Sequence, residues 1–449
     1  MKFLKVKNKR LSEGSFRFDA TFHLSEGVNF RKIIENSGFQ TMKIGDVVDQ
    51  VFYGGRDRRI YVETPEKGLP FMGSADMLKN DFNNLKLISK KLTKNIGNYK
   101  LKKEWILVSR SGTIGNMAYT NADFEGLCAS EHIIRIVPKS NIFSGYLYSY
   151  LSSKYGYSLL TQGTFGNVIQ HIEPDHIENI PIPILPEETQ QKIHNLIVES
   201  AQLRVEANKL LKEAVEIFEK YDVDGFTKIF QKKVSALGFS WASYNNNVEC
   251  DKIENSISEF LKIGDVATKC FAPPLFKHIY LDKDNGHPFL TGAELTKFNK
   301  KFYRWLSPKG VKNIEDYKVK KGTLLLYKSG TTDGGILGNV FIADDILDDA
   351  CLSDHVIRIF TEDIKMSYWM FAFYKSRAGV KLLQKTATGS MIPFITPERL
   401  RELKFPKPDD NFEFVTNNIE KYLEKSVQSQ LNENQAIDLI EKEIDQWQQ

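Results

Sequence analysis

The chain has 449 residues, with 61 Lys and Arg against 57 Asp and Glu, 41% apolar side chains and a formal net charge of +4. That length exceeds one ordinary core and that composition excludes a disordered chain, so two or more globular domains are expected. No apolar run approaches the roughly 18 residues of a membrane helix, the basic start Met1-Lys2-Phe3-Leu4-Lys5 lacks a signal peptide's apolar stretch, and the four cysteines form no CxxC pair. A reduced, cytoplasmic protein without membrane contact is expected.

In chain order, residues 1–40 form a lead-in that runs up to the pentapeptide Lys43-Ile44-Gly45-Asp46-Val47. A first globular unit spans 41–186. It opens on a strand-like phrase at the pentapeptide and holds short apolar runs suited to buried strands, at Ile106-Leu107-Val108 and Ile133-Ile134-Arg135-Ile136. Turn clusters such as Asn121-Ala122-Asp123 separate the runs, and a helix is predicted near Tyr146–Leu160. Prolines at 181, 183 and 186 end the unit in an extended segment, after which a long helix starts at Glu187. Over 187–224, Ile193, Leu196, Leu203, Leu210 and Ile217, with Ser200, Ala207 and Ala214 between them, recur at spacings of 3 and 4. That is a coiled-coil seam, on a rod of about 50 Å at ~1.5 Å per residue.

The series then begins again. Residues 225–260 form a second lead-in. Residues 261–409 form a second unit opening on Lys262-Ile263-Gly264-Asp265-Val266, with strand runs at Leu324-Leu325-Leu326 and Val356-Ile357-Arg358-Ile359 and a helix near Tyr368–Leu383. Residues 410–449 form a second long helix whose seam holds Ile419, Leu423, Ile437, Ile440 and Ile444 around a polar middle at Ser426, Gln430 and Glu433. Ser111-Gly112-Thr113 returns as Ser329-Gly330-Thr331, and Cys128, Ser130, His132 and Arg135 return as Cys351, Ser353, His355 and Arg358 at an offset of 223. A repeat of this length is a whole domain rather than a solenoid turn. The expected fold is mixed α+β: two similar globular units, two long helices pairing antiparallel through their stripes, and an internal pseudo-twofold repeat.

Charge follows the same division. Residues 187–224 are net −4 and 411–449 net −5, leaving +13 on the rest of the chain. Positive globular parts favour an anionic partner. Arg110-Ser111-Gly112-Thr113 and Lys328-Ser329-Gly330-Thr331 each follow an apolar strand and offer a cation, hydroxyls and amides, which suits either a phosphate contact or a glycine turn between core strands. Neither is a P-loop. Thr164, Asn167 and Gln170 on one glycine loop and Ser390 on its counterpart suit close approach to a groove, or merely entry to the last strand. Arg56, Arg58 and Arg59 in the first unit and Lys297, Lys300 and Lys301 in the second lie among aromatics. These regions differ between the copies while the scaffold phrases agree, as reading two different sequences requires, although any one of them can be a solvated loop residue.

His132 and His355, each preceded by an acid (Glu131, Asp354), admit a general-base or metal reading. Both lie in apolar strand-like sequence, so a satisfied core or structural histidine is the preferred reading. No GxGxxG precedes a helix, no Asn-Pro-Pro-aromatic tetrapeptide is present, and Glu402-Leu403-Lys404 lacks the upstream Asp of a nuclease. No catalytic constellation and no metal site are expected.

Together, the Ser-Gly-Thr-x-Gly phrase, the loop of Gly166, Ile169, Ile172 and Pro174, the exit Ile180-Pro181-Ile182-Pro183, and Pro186-Glu187-Glu188-Thr189-Gln190-Gln191-Lys192-Ile193 opening a coiled coil resemble specificity (S) subunits of type I restriction–modification enzymes. The resemblance covers essentially the whole chain. The second copy departs by its Pro408-Asp409-Asp410 helix entry and the extra segment Thr332–Leu337. The resemblance implies a non-catalytic subunit for phage defence, with two target recognition domains that each read one half of a split, asymmetric site in double-stranded DNA. It implies helices that set the half-site separation and dock two methyltransferase subunits, with translocating nuclease subunits joining them. S-adenosylmethionine, ATP and magnesium would belong to those partners. The alternatives are an enzyme with an unrecognised nuclease or methyltransferase site around Glu131/His132 and Asp354/His355, or an assembly scaffold without DNA readout.

Overall fold

The computed structural model describes residues 20–82, 85–162, 164, 171–223, 231–237, 241–330, 337–389 and 392–447. It divides into two compact units, one of Met1–Val205 with Gln428–Gln449 and one of Glu206–Val427. That division cuts through both long helices, Glu187–Glu216 and Phe412–Gln446, so each unit holds a portion of each.

In the first unit the strands are β1 (Thr41–Lys43), β2 (Val48–Phe52), β3 (Tyr61–Val62), β4 (Gly68–Met72), β5 (Lys86–Ser89), β6 (Ile106–Ser109), β7 (Met117–Tyr119), β8 (Cys128–Ala129), β9 (Ile133–Pro138) and β10 (Pro181–Pro183). They form a β1-β10 ribbon, an antiparallel sheet in the order β2-β9-β6-β7, and a smaller sheet in the order β3-β5-β4-β8 whose β4-β8 pair is parallel. The larger sheet carries the continuous apolar runs, and β6 is buried along its whole length, as a strand covered on both faces must be. The core joins Ile44, Val108, Ile134, Ile136, Leu147 and Leu159 to Ile193 and Ile197 of the first long helix and Ala436, Ile440 and Ile444 of the second.

The second unit repeats this with β11 (Phe260–Lys262), β12 (Ala267–Phe271), β13 (Tyr280–Leu281), β14 (His287–Leu290), β15 (Trp305–Leu306), β16 (Leu324–Tyr327), β17 (Val340–Ile342), β18 (Cys351–Leu352), β19 (Val356–Thr361) and β20 (Lys404–Pro406). The ribbon is β11-β20 and the sheets are β12-β19-β16-β17 and β13-β15-β14-β18, the same order strand for strand. Even the register irregularity recurs, between Val48 and Gln50 in β2 and between Ala267 and Lys269 in β12. Its core joins Leu324, Leu326, Ile357, Trp369 and Phe373 to Ala207, Leu211 and Ala214 of the first long helix and Val415, Ile419 and Leu423 of the second.

Three local readings change. The pentapeptide is not a strand: after β1 and β11 the chain makes one helical turn, Ile44–Val47 and Ile263–Val266, because Asp46 and Asp265 accept the amides of Lys43 (3.1 Å) and Lys262 (2.8 Å) as N3 residues of a capping box. Each predicted single helix after β9 and β19 is two helices, Ser144–Ser152 with Lys154–Gln162 and Ile364–Lys375 with Arg377–Lys385, broken at extended Ser153 and Ser376. A Cβ on Gly156 would lie 2.2 Å from the Tyr150 carbonyl oxygen, and one on Gly379 would lie 2.2 Å from that of Phe373, so only glycine permits so tight a corner.

The helix seam also shifts by one residue at alternate positions. Ile193, Ile419, Leu423, Ile437, Ile440 and Ile444 are buried, but Leu196, Leu203, Leu210 and Ile217 are half-buried, while Ile197, Leu211 and Phe218 are the buried ones. The buried positions still recur every seven residues, as Ile193, Ser200, Ala207 and Ala214 and as Ile197, Leu211 and Phe218, but the covered column is the neighbouring one because the stripe packs against sheet-side helices as well as against a partner helix. Phe218, for instance, meets Trp369 and Phe373 edge-on at 4.8 and 5.5 Å.

In the second unit the helix portions run antiparallel: Glu206 pairs with Lys425 at 2.6 Å, and Glu213 accepts from Asn418 further along. In the first unit the contact between them has a polar part beside the apolar core. Ser200 and Ser429 exchange hydroxyl-to-carbonyl bonds of 2.8 Å, and Arg204 pairs with buried Glu433, whose other oxygen accepts from the Tyr148 hydroxyl at 2.9 Å.

Candidate nucleic-acid interface

The loop after β6 is built around a duplicated Ser–His contact. Arg110 N donates to the His132 carbonyl at 2.8 Å, which brings the Ser111 hydroxyl to 2.6 Å from His132 Nδ1. In the second unit Lys328 N donates to the His355 carbonyl at 2.8 Å, and Ser329 Oγ lies 3.3 Å from His355 Nδ1. Gly112 takes the left-handed conformation that turns the chain here (φ +78°), leaving Thr113 exposed. Only the core half of the histidine reading is corrected: the His132 and His355 side chains are 41% and 64% exposed, outside the core, where each ring contacts the serine of a surface loop.

What does occupy the core beneath is an arginine. Arg135 of β9 donates through Nη1 to the carbonyls of Ser130 (3.0 Å) and Ile133 (2.6 Å), and through Nη2 to those of Tyr99 (3.4 Å) and Ala129. Arg358 of β19 makes the same four bonds, to Ser353, Val356, Tyr317 and Leu352. Burial pulls both guanidinium groups down to about 10, still charged at neutral pH. Each ties the larger sheet to the last strand of the smaller one and fixes the turn that carries the histidine.

Arg110, Ser111 and Lys300 are not solvent-facing cations or hydroxyls. Arg110 is 3% exposed, paired with Glu173 and lying 4.2 Å over the Tyr53 ring, while Ser111 is buried against His132. Lys300 pairs with buried Asp344 at 2.9 Å. All three anchor loops, because a cation drawn into a packed site stays only with its counter-charge. Arg56, Arg58, Arg59 and Thr113 are exposed, and Thr164, Lys297, Lys301, Lys328 and Ser329 are half-buried. Asn167, Gln170, Thr331 and Ser390 lie outside the described residues.

The smaller sheet carries cations over aromatic rings in both units. Arg59 pairs with Glu131 at 2.5 Å and lies 5.3 Å over Phe71 of β4, while Lys86 lies 5.7 Å over Tyr61. In the second unit Arg304 pairs with Glu294 at 2.5 Å and lies 5.8 Å over Phe289 of β14 and 5.9 Å over Tyr280. Partial burial works most strongly against the charge of Glu131, but the hydrogen bond from Arg59, a backbone hydrogen bond and the positive charge of Arg59 together outweigh it and hold the carboxyl below the usual carboxylate range. Sequence reasoning missed Arg304, Glu294 and the pairing role of Glu131. The cue was present, since Arg304 is the last cation of the basic, aromatic run Lys297–Trp305.

All four cysteines are free and buried. Among the described residues no three His, Cys, Asp or Glu side chains gather as a metal site, and no helix is long and apolar enough to cross a membrane.

Two like bodies, each with a cation-bearing sheet beside a fixed loop, define a tandem-domain protein. Residues 36–216 and again 255–442 match the family described as "Type I restriction modification DNA specificity domain", and the chain belongs to that family. A comparison with curated proteins returned no match. Among solved structures, the chain is similar to the type I restriction–modification S subunit from M. genitalium (14% identity, TM-score 0.33, 92% of this chain and 94% of that one). It is similar also to the HsdS subunit from Thermoanaerobacter tengcongensis (13%, 0.29, 91% and 96%). A third chain comes from a structure on "complex assembly and conformational transition of the type I R-M system" (12%, 0.28, 92% and 97%). The family assignment rests on the domain match.

Proposed function

We propose that this chain is the non-catalytic specificity subunit of a type I restriction–modification complex, each unit reading one half of a bipartite, asymmetric DNA site. The observation that carries this is the repeat itself: sheets identical in strand order, with unlike cationic loops on a like scaffold. A shared scaffold orients the reader, and differing side chains select different bases. In this reading the long helices set the half-site separation and dock two methyltransferase subunits. Restriction subunits complete the nuclease, and S-adenosylmethionine, ATP and magnesium act in those partners. A cytoplasmic location fits a DNA target and four free cysteines. The test is a domain exchange. Replacing 41–186 with the corresponding domain of another family member should change one half of the methylated motif and leave the other half alone; a change in both halves, or in neither, refutes the reading.

A further inference from the structure

The two stacked arginines are the strongest feature that the proposed function leaves unassigned. Phe71 of β4 pairs with Cys128, and Phe289 of β14 pairs with Cys351, so the two phenylalanines are structurally equivalent. Each lies under a guanidinium locked to a glutamate at 2.5 Å, yet the arginines come from non-equivalent places. Arg59 lies two residues before Tyr61 of β3, and the matching place before Tyr280 of β13 holds His278. Arg304 precedes Trp305 of β15, and the register of Ile88 and Leu306 against the equivalent tyrosines puts Lys86 in its place. The glutamates differ as well: Glu131 precedes β9, whereas Glu294 lies in the helical turn Gly292–Leu295.

Duplication alone would put both arginine–glutamate pairs at matching positions. Two different solutions over the same ring mean that a braced guanidinium at this spot is what is required, and that its exact site is free to differ. Phosphate contact does not need bracing, since a flexible cation reaches a phosphate equally well. Arg56 and Arg58, exposed and with no carboxylate within ion-pair distance among the described residues, suit that role. Base reading does need it. The fork must meet the N7 and O6 acceptors of guanine in one plane, and a ring beneath plus a carboxylate beside removes side-chain freedom before DNA arrives. Both side chains stay about one-third exposed, Arg59 at 35% and Arg304 at 33%, so donors remain available.

We infer that Arg59 and Arg304 are the guanine-reading residues of the two units, with Glu131 and Glu294 as positioning residues that set each fork. This rests on the DNA-reading function proposed above.

The test uses the full chain assembled with its methyltransferase subunits on a library of duplexes randomised through both half-sites, with the methylated motif sequenced. Arg59→Lys should relax discrimination at one base pair of one half-site by roughly ten- to a hundred-fold, and Arg304→Lys should do so in the other half-site. Glu131→Gln and Glu294→Gln keep the arginine and should loosen the same base pairs, which decides the matter should a lysine variant fail to fold. A wild-type motif at full stringency in these variants, or a weakening spread evenly over all positions, overturns the inference while leaving the half-site reading intact. A wild-type complex that methylates without any motif overturns both.

Discussion

Replacing Arg135 with Met removes a buried cation whose four hydrogen bonds all go to main-chain carbonyls. Hydrogen bonds from a charged donor contribute about 1.5–3 kcal/mol each. Against them stands the burial cost of a guanidinium pulled from 12.5 to about 10, about 3 kcal/mol at ~1.36 kcal/mol per pH unit. Methionine fills much of the volume but satisfies none of the carbonyls, so these terms leave a loss of about 3–9 kcal/mol; a value near the lower end, about 4 kcal/mol, matches the range for breaking a buried charged contact. Hydrogen exchange read by mass spectrometry checks this. Amides of β6 and β9 in Arg135→Met should exchange several hundred-fold faster, while β16 and β19, held by Arg358, keep their protection. Protection in β9 within a factor of five of wild type would refute the argument, because the carbonyls would then be served as well by water.

Further outcomes follow from the same reasoning. Arg204→Ala strands Glu433 among the packed helix portions and should cost about 3–5 kcal/mol by urea titration, whereas the double change Arg204→Met with Glu433→Leu should restore most of it. Gly156→Ala should cost more than about 1 kcal/mol in the same titration, since its Cβ would meet the Tyr150 carbonyl and Leu151 Cα at 2.2 and 2.6 Å. Burial pushes the thiols of Cys128, Cys250 and Cys270 up to about 11 and that of Cys351 up to about 12, so alkylation at pH 7.5 should label none of them until urea unfolds the chain. Glu131 titrates below its unfolded value, so its contribution is full above the ordinary carboxylate range and is lost as pH falls through the folded value; Glu131→Gln should flatten that part of the acid limb of a stability profile.

The repeat made the fold legible, because two divergent copies reveal which residues the scaffold needs. Arg135 and Arg358 stood in that matched series, and both turn out to be buried clasps. Apolar runs at Ile106–Val108 and Leu324–Leu326 became strands because continuous burial needs no alternation. The failures are three-dimensional. His132 follows a strand pattern, but its partner Ser111 lies 21 residues away, and that bond holds the ring at the surface rather than inside. Charge alone nominated Arg110 and Lys300 as contacts, and only packing reveals Glu173 and Asp344 beside them. The seam at Leu196 and Leu210 slipped to Ile197 and Leu211 because both columns satisfy a seven-residue repeat, and helices of the globular units cover the second one.

The guanidinium clasp has a consequence for how such a protein diversifies. Its partners are peptide oxygens, which every amino acid supplies, so the clasp places no demand on the identity of neighbouring side chains. Mutation can rewrite the surrounding loops wholesale while the same grip keeps the platform level. New specificities can therefore be explored without each one having to rediscover a foldable core.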